Sequence, residues 1–201
     1  MQKIADFNLV GLNHWERAAE TTNYYAILSA KEFKDPKAFW STNTGITKEL
    51  LDTLKSEDKF LDLGCGFGRI AHCISSKVKE YHGVDYSQGM IEKAKEFHKE
   101  DKNVFFQVNN GRDLREFDDG TFDVVYTCLV FQHMFKANIF SYIKETRRVL
   151  KPGGIFFAYN IPVKEKYGNC GFVDEDLKVF EIFSEINKVK TEYYYNVIAK
   201  R

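Results

Sequence analysis

Apolar positions follow two alternating rhythms over residues 59–160. Short apolar runs bounded by turn residues are typical of buried strands, and the segments between them repeat apolar residues at helical spacing. The predicted strands are KFLDL (59–63), EYHGV (80–84), NVFFQV (103–108), FDVVYT (122–127) and GIFFAY (154–159). Strands that alternate with helices predict an α/β fold with a parallel sheet and crossover connections.

The segments that flank this core have different patterns. Residues 1–55 are predicted to be helical, mainly over 14–34 and 46–54, with a break at Asp35-Pro36. The C-terminal stretches KVFEIF (178–183) and EYYYNVIAKR (192–201) are predicted to pair as an antiparallel hairpin at the edge of the sheet. Its turn is expected near residues 187–190.

Length and composition limit the choice of protein class. The 201 residues are 44% hydrophobic, enough for one domain made of a helical arm (1–55), a core (56–160) and a C-terminal hairpin region (161–201). Lys plus Arg equals Asp plus Glu at 29 each, so the net charge does not favour a nucleic-acid partner. The longest mostly apolar run, Phe122–Phe131, falls short of the about 18 residues of a membrane helix, and no signal-peptide pattern opens the chain. We expect a cytoplasmic protein with no membrane partner.

Cysteine and histidine spacing gives no sign of a metal centre. The cysteines are Cys65, Cys73, Cys128 and Cys170. They lie far apart, and neither they nor the five histidines show metal-ligand spacing. We therefore expect reduced thiols and no metal site.

A glycine-rich turn, in FLDLGCGFGRIA, follows the first predicted strand. Open parallel sheets bind ligands beyond the carboxyl ends of their strands, so this turn is the first candidate site. Gly64, Gly66 and Gly68 have GxGxG spacing, whereas a dinucleotide-binding turn needs GxGxxG, whose third glycine would replace Arg69. Asp62 would repel a pyrophosphate and attract an ammonium or sulfonium group. Alternatively, Asp62 accepts hydrogen bonds from the loop amides.

Polar residues after the next two strands extend this candidate site. Asp85 ends the second strand about 20 residues beyond the glycine turn, where an acidic side chain can accept both hydroxyls of a ribose. Such an Asp is often only a helix cap, but Ser87 is available for that task. The turn NNGRD (109–113) is suited to reading an adenine edge through a side-chain oxygen and a backbone N–H, although it is also an ordinary turn sequence.

These motifs together resemble a known family. The segments FLDLGCGFGRIA, GVDYSQGMIEKA, NNGRDL, TFDVVYTCLVFQHM and RRVLKPGGIFF, over about residues 58–160, resemble the class I S-adenosylmethionine-dependent methyltransferases. GLNHWERAAETTNYYAILSA resembles the N-terminal helical region of small bacterial members that modify sugars or other small molecules. The resemblance implies a Rossmann-like seven-stranded sheet in the order 3-2-1-4-5-7-6, with the last strand antiparallel, helices on both faces and an N-terminal helical lid.

The resemblance also implies S-adenosylmethionine as the cofactor and assigns its contacts. They are Asp62, Gly64, Cys65, Gly66, Gly68, Asp85, Tyr86, Asn110, Gly111 and Cys128. The glycine turn is expected beside the methionine part, with Asp62 near the ammonium group. Asp85 is expected to bind the ribose hydroxyls and Tyr86 to flank the adenine.

The adenine edge is the position where this chain departs from the family pattern. Asn110, with the Gly111 amide, is expected to read the edge, although family members usually have an acidic residue there. Asparagine keeps an acceptor oxygen and loses the charge. An offset of one, to Asn109 or Arg112, remains open.

The expected reaction needs few catalytic groups. A methyl group on a sulfonium is already activated, because its departure leaves a neutral thioether, so the protein mainly holds the acceptor in line. An oxygen acceptor also gains from a general base. His133 is the candidate, because it follows the fourth strand and histidine titrates near neutral pH. Alternatively, His133 caps or packs the start of the next helix.

Aromatic residues in the arm suggest where the acceptor binds. They are Trp15, Tyr24, Tyr25, Phe39 and Trp40. We expect them to form a lid, although ordinary core packing is the alternative. The favoured function is methyl transfer to a small molecule, at a hydroxyl of a sugar or another metabolite. Transfer to nitrogen or carbon of a metabolite or protein side chain, and a non-catalytic S-adenosylmethionine-binding module, remain alternatives.

Overall fold

The computed structural model describes residues 12–28, 35–167 and 171–201. Its strands are β1 (Lys59–Leu63), β2 (Glu80–Asp85), β3 (Val104–Val108), β4 (Phe122–Cys128), β5 (Leu150–Pro162), β6 (Glu185–Lys190) and β7 (Tyr194–Lys200). They form one sheet in the order β3-β2-β1-β4-β5-β7-β6. Neighbours from β3 to β5 are parallel, and β7 is antiparallel to both β5 and β6. The predicted Rossmann-like sheet, its strand order and its antiparallel last strand are confirmed.

Helices cover both faces of this sheet. They are α1 (12–20), α2 (Tyr24–Leu28), α3 (Pro36–Ser41), α4 (Lys48–Thr53), α5 (Arg69–Ile74), α6 (Gln88–Phe97), α7 (Lys136–Val149) and α8 (Lys164–Tyr167). Successive strand residues point to opposite faces, so the buried Phe156 and Phe157 of β5 belong to two different cores. Ile143 of α7 packs in the first core and Ile74 of α5 in the second. This packing on both sides fixes the strand ends that carry the candidate site.

The first helix of the arm is shorter than predicted. Instead of one helix over 14–34, α1 ends at residue 20 and the chain restarts as α2. Thr22 has a φ of +48°, and the Asn23 amide donates to a carbonyl of α1 at 2.7 Å, which closes the helix end. The two threonines and the asparagine explain the stop, because β-branched and short polar residues favour caps and turns over helix interiors.

The rest of the arm follows its capping residues. Asp35 caps α3 by accepting a hydrogen bond from a backbone amide at 3.1 Å, and Pro36 is in the first turn. Thr47 caps α4, so the helix predicted from residue 46 begins at Lys48. Residues 1–11 and 29–34 of the predicted arm lie outside the described residues, as do residues 168–170.

The C-terminal hairpin is confirmed: its second strand, β7, lies within the predicted stretch 192–201, but its first strand is displaced. Most of the stretch 178–183 lies in a 3-10 helix, Asp174–Ile182, and β6 follows it. Leu177, Phe180 and Phe183 recur every three residues and are buried, which fits the 3-10 repeat rather than the repeat of two in a strand. Residues 187–190, predicted to lie near the turn, belong to β6, and the chain reverses directly after them, over 191–193.

Candidate active site

A cavity of about 620 Å³ lies along the C-terminal edge of the parallel strands. Ligand sites usually have about 300–1,000 Å³. The ends of β1, β2 and β4 form part of its wall, and α1, α2 and α3 of the arm form another part. Ten of the eleven predicted site residues line it, namely Asp62, Gly64, Cys65, Gly66, Asp85, Tyr86, Asn110, Gly111, Cys128 and His133. The fold therefore brings almost the whole predicted set to one place.

The glycine turn presents bare backbone to this cavity. The amides of Gly64 and Cys65 both donate to the Val84 carbonyl, at 2.8 and 3.0 Å, which ties the turn to β2. Gly66 has a φ of +52°, and among the described residues a methyl group added there would meet only the Ile27 side chain, at 3.6 Å. A positive φ and open space on the cavity side explain glycine at this position.

Gly68 lies beneath the turn and outside the cavity lining. Its φ of +82° places it at the start of α5. A methyl group added there would lie 2.7 Å from the Phe106 ring and 2.8 Å from His98 Nε2. The same His98 nitrogen lies 3.0 Å from the Gly68 carbonyl oxygen. Close packing beneath the turn therefore accounts for this glycine.

Asp85 connects the end of β2 to the glycine turn. Its carboxylate accepts hydrogen bonds from the Gly66 amide at 3.1 Å and the Ser87 amide at 3.0 Å. Burial raises the pKa of Asp85 to about 6. Ser87 caps α6 by accepting from the Met90 amide at 3.1 Å, so the predicted cap is confirmed and Asp85 is not needed for that task.

Asp62 is a buried carboxylate beside the turn. It is 2% exposed, and it accepts a hydrogen bond from the neutral Tyr81 hydroxyl. Burial raises its pKa to about 7, although the Tyr81 bond opposes the rise. The described loop amides donate to Val84, Asp85 and Cys65 instead of Asp62. Asp62 therefore does not serve as a cap for the loop, and its carboxylate faces the cavity.

The turn after β3 is held together by its own asparagines. Asn110 Oδ1 accepts from the amides of Arg112 and Asp113, at 2.8 and 3.0 Å. Asn109 Oδ1 accepts from the Gly111 amide at 3.1 Å. Both groups expected to read an adenine edge are thus engaged within the turn. The Gly111 backbone lies beside Tyr86, where an added methyl group would be 3.6 Å from the Tyr86 Cβ atom and 3.7 Å from its ring.

The end of β4 combines strained backbone with a histidine. Leu129 has a φ of +61°, which a non-glycine residue rarely adopts and which is common near functional sites. Burial raises the pKa of Cys128 to about 11, so its thiol stays neutral. His133 ends a 3-10 turn and contacts Trp15 edge to face, with ring centroids 5.1 Å apart. Its pKa is lowered, because burial and the nearby His14 both disfavour the imidazolium.

The arm reaches the cavity with only part of its aromatic set. Trp15 and Phe39 line the cavity, whereas Tyr24 and Trp40 pack beside them in the same cluster. The Tyr25 side chain lies outside the described part of the chain. Glu16 of α1 accepts a hydrogen bond from the Gly89 amide, in the first turn of α6, at 3.0 Å. This bond fastens the arm to the core.

Arg69 is a cavity residue that the sequence motifs did not single out. It begins α5, is 6% exposed and lines the cavity beside the glycine turn. Its Nη1 atom is buried without a hydrogen-bond partner among the described residues. The only signal in the sequence is its position directly after Gly68.

Other chemistry is sparse in the described ranges. Residues 12–28, 35–167 and 171–201 contain no cluster of three or more His, Cys, Asp and Glu that could hold a metal ion. Cys65, Cys73 and Cys128 are free thiols, and Cys170 lies outside these ranges. Across the same part of the chain, no helix has both the length and the apolar character needed to cross a membrane.

The residues present fit a nucleoside with a positively charged amino-acid tail. Asp62 offers a buried carboxylate whose hydrogen-bond partner is an uncharged hydroxyl. Gly66 leaves backbone bare beside it, and Tyr86 and Gly111 offer an aromatic face and a flat backbone for a base. This donor set matches the chemistry of S-adenosylmethionine.

Comparison with known proteins also indicates a protein that binds S-adenosylmethionine. Residues 61–158 match the family model described as a methyltransferase domain. The chain is 32% identical over 149 residues to the uncharacterized methyltransferase YcgJ of Bacillus subtilis (strain 168), covering 70% of this chain and 57% of that protein. It is 36% identical over 109 residues to the 2-methyl-6-phytyl-1,4-hydroquinone methyltransferase of Synechocystis sp., covering 52% of this chain and 32% of that protein. The PH0226 protein from Pyrococcus horikoshii OT3 has a similar fold, with a TM-score of 0.68 and 24% identity over 88% of this chain and 97% of that one.

The sheet order and the cavity beside the glycine turn define a Rossmann-like protein with a nucleoside site. With the domain match and these relatives, residues 61–158 are assigned to the class I S-adenosylmethionine-dependent methyltransferase family. The resemblance seen in the sequence is confirmed, and so is S-adenosylmethionine as the cofactor that it implies. The chain spans about half the length of its curated relatives, 57% of YcgJ for example.

Proposed function

We propose that this protein transfers a methyl group from S-adenosylmethionine to a hydroxyl group of a small-molecule acceptor. The observation that carries the proposal is the continuity of the cavity, which runs from the glycine turn and Asp85 to His133 and Trp15. A donor at the turn and an acceptor beneath the arm would share one space, and such proximity supplies much of the rate enhancement of a transfer. Arm, core and hairpin act as one domain in this proposal.

Each polar group of the cavity has a task in this proposal. S-adenosylmethionine, when bound, supplies a methyl group that is activated by the positive sulfur. Asp62 attracts the ammonium group of the tail, and Asp85 accepts hydrogen bonds from the ribose hydroxyls. Tyr86 packs against the adenine. Because Asp85 also holds the Gly66 amide, ribose binding and the shape of the turn are coupled.

His133 acts as the general base. Its lowered pKa keeps the imidazole neutral at neutral pH, which is the form that accepts a proton. Contact with Trp15 orients the ring at the cavity wall. His133 would accept the proton of an acceptor hydroxyl that reaches a ring nitrogen, while the carbon–sulfur bond of the donor would break as the carbon–oxygen bond forms.

The wall around the acceptor end favours a molecule with an apolar body. Apolar side chains of the cavity wall away from the glycine turn include Leu12, Trp15, Leu28, Leu129 and Met134. We therefore propose a phenolic or otherwise apolar metabolite as the acceptor, and a sugar acceptor would need an apolar substituent to fit. The named hydroquinone methyltransferase relative is consistent with this acceptor chemistry.

Purified protein tests this function directly. S-adenosylhomocysteine release is measured with S-adenosylmethionine and three acceptor panels, namely phenols and hydroquinones, nucleotide sugars, and amines. Turnover with the phenolic panel supports the proposal. Turnover with amines only contradicts the hydroxyl acceptor. Tight cofactor binding with no turnover on any panel contradicts catalysis and favours a non-catalytic binding module.

A further inference from the structure

Helix α1 of the arm brings two side chains to the proposed base. His14 contacts Trp15 edge to face, with ring centroids 5.0 Å apart, and Trp15 contacts His133 in the same way, at 5.1 Å. Because both imidazoles lie about 5 Å from the same indole, they are at most about 10 Å apart. His14 is exposed and lies outside the cavity lining, so contact with a ligand does not explain its position.

The two arm side chains act on the proton affinity of His133 by different routes. Burial is the larger cause of the lowered pKa of His133, although part of the residue stays exposed to solvent. Trp15 is the arm side chain whose ring contacts His133. The smaller cause is the charge of His14, which opposes a second positive charge on His133. Gln132 Nε2 lies 3.0 Å from His133 Nε2 but bears no charge.

The titratable groups on the neighbouring elements do not offset this effect. Burial raises the pKa of the Cys128 thiol at the end of β4 to about 11, so it is neutral. Lys136, which begins α7, is held in an ion pair of 2.6 Å, and Glu16 of α1 accepts a hydrogen bond from the first turn of α6. Among the described residues, His14 supplies the only charge that contributes to the lowered pKa of His133.

Docking of α1 and protonation of His133 are therefore linked. If the docked helix lowers the affinity of His133 for a proton, a proton on His133 must weaken docking by the same factor. The neutral imidazole then favours the docked arm, and the imidazolium favours the undocked arm. In the undocked arm the ring is free of Trp15 and is open to water.

We propose that α1 controls the protonation of His133, with His14 and Trp15 as positioning residues that keep the imidazole neutral while the arm is docked and release the imidazolium to solvent. This inference rests on the proposed function, in which His133 is the base. In that reaction His133 receives the hydroxyl proton of the acceptor as the carbon–oxygen bond forms and the carbon–sulfur bond breaks. The imidazolium then weakens docking, so the arm opens, the proton passes to water and the product can leave.

NMR titration of the His133 ring at low ionic strength tests the first half of the proposal, with His133→Gln used to assign the signal. In wild type the ring should titrate below pH 6.5. His14→Gln should raise the midpoint by about 0.3 pH unit or more, the effect of a unit charge about 10 Å away in water. Trp15→Ala should raise it further, because burial is the larger cause, and Trp15→Phe should restore most of the wild-type midpoint. Arg17→Gln is the matched control, because it removes an exposed charge of α1 that does not act on His133.

Limited proteolysis of the arm at pH 5 and pH 8 tests the second half. The rate for wild type divided by the rate for His133→Gln at the same pH cancels the pH dependence of the protease itself. This ratio should be at least about twofold larger at pH 5 than at pH 8, because only wild type gains a charge on residue 133 as pH falls. His14→Gln should reduce the difference between the two pH values.

The outcomes separate this inference from the proposed function. Unchanged midpoints in both His14→Gln and Trp15→Ala would overturn the inference, and so would equal cleavage ratios at pH 5 and pH 8. A shift in Arg17→Gln as large as that in His14→Gln would overturn the role of His14. In turnover assays, the acid limb of the pH profile should move with the NMR midpoint in His14→Gln. Shifted midpoints with an unmoved acid limb would support control of His133 by the arm and would remove His133 as the base.

Discussion

Replacing Asp62 with asparagine should change stability and cofactor binding in opposite directions. The wild-type carboxyl is 2% exposed, and burial raises its pKa from 3.8 to about 7. The folded protein therefore holds this proton more tightly than the unfolded chain does. Stability then decreases as pH rises through the interval between the two pKa values, which is the reverse of the usual case for an aspartate.

The size of the effect follows from these two pKa values. Between pH 5 and pH 8, the difference between 3.8 and about 7 costs wild type about 2–3 kcal/mol of unfolding free energy. Asp62→Asn does not lose this unfolding free energy, because asparagine has no carboxyl proton to release. The cost of burying the new amide does not depend on pH, so it cancels when the same variant is compared at two pH values. Asp85 titrates in both proteins, so only its charge interaction with Asp62, the last and smallest cause of the Asp62 shift, stays in the difference.

Urea unfolding at pH 5, 6, 7 and 8 measures the effect. The free energy of unfolding of Asp62→Asn minus that of wild type should increase by about 2–3 kcal/mol from pH 5 to pH 8. Asp113→Asn is the matched control: Arg115 holds the pKa of Asp113 well below its usual range, so its difference from wild type should stay constant over this interval. A constant difference for Asp62→Asn would refute the reasoning. At pH 8 the same variant should bind S-adenosylhomocysteine more weakly than wild type.

Three other substitutions test separate parts of the site. His133→Ala should lower turnover at least about tenfold with unchanged S-adenosylhomocysteine affinity in calorimetry, and full activity would remove His133 from the mechanism. Gly66→Ala should mainly weaken S-adenosylhomocysteine binding. Gly68→Ala should mainly lower Tm, because its methyl group would meet the buried rings of Phe106 and His98. A large loss of Tm in Gly66→Ala and a large loss of affinity in Gly68→Ala would contradict this assignment. Glu16→Gln weakens the hydrogen bond from the Gly89 amide, so limited proteolysis of the arm and dissociation of S-adenosylhomocysteine should both become faster. If both rates were unchanged, this bond would not fasten the arm to the core.

The central sheet could be predicted because its signals are local. β1 occupies the predicted residues 59–63, and β2 extends the predicted run by one residue. Buried strands of a parallel sheet need continuous apolar runs, and the helices between them need an apolar stripe, so both appear directly in the sequence. The glycine turn and Asp85 were found for the same reason, since each directly follows a strand.

Features that depend on distant contacts could not be predicted. Gly68 looked like a ligand residue, but His98 and Phe106, about 30 and 38 positions away, explain it. The unsatisfied Arg69 nitrogen is visible only in the folded cavity. The 3-10 helix at Asp174–Ile182 contains strand-forming residues, and its repeat of three becomes evident only when the buried positions are known.

The central claim is that the glycine turn and Asp85 together bind the sulfonium nucleoside. Calorimetric titration of wild type and Asp85→Asn with S-adenosylhomocysteine, and of wild type with NAD, tests it most directly. We predict saturable heat with S-adenosylhomocysteine, none with NAD, and an affinity for S-adenosylhomocysteine at least about tenfold weaker in Asp85→Asn. No heat with S-adenosylhomocysteine, or the same affinity in the variant as in wild type, would contradict the account.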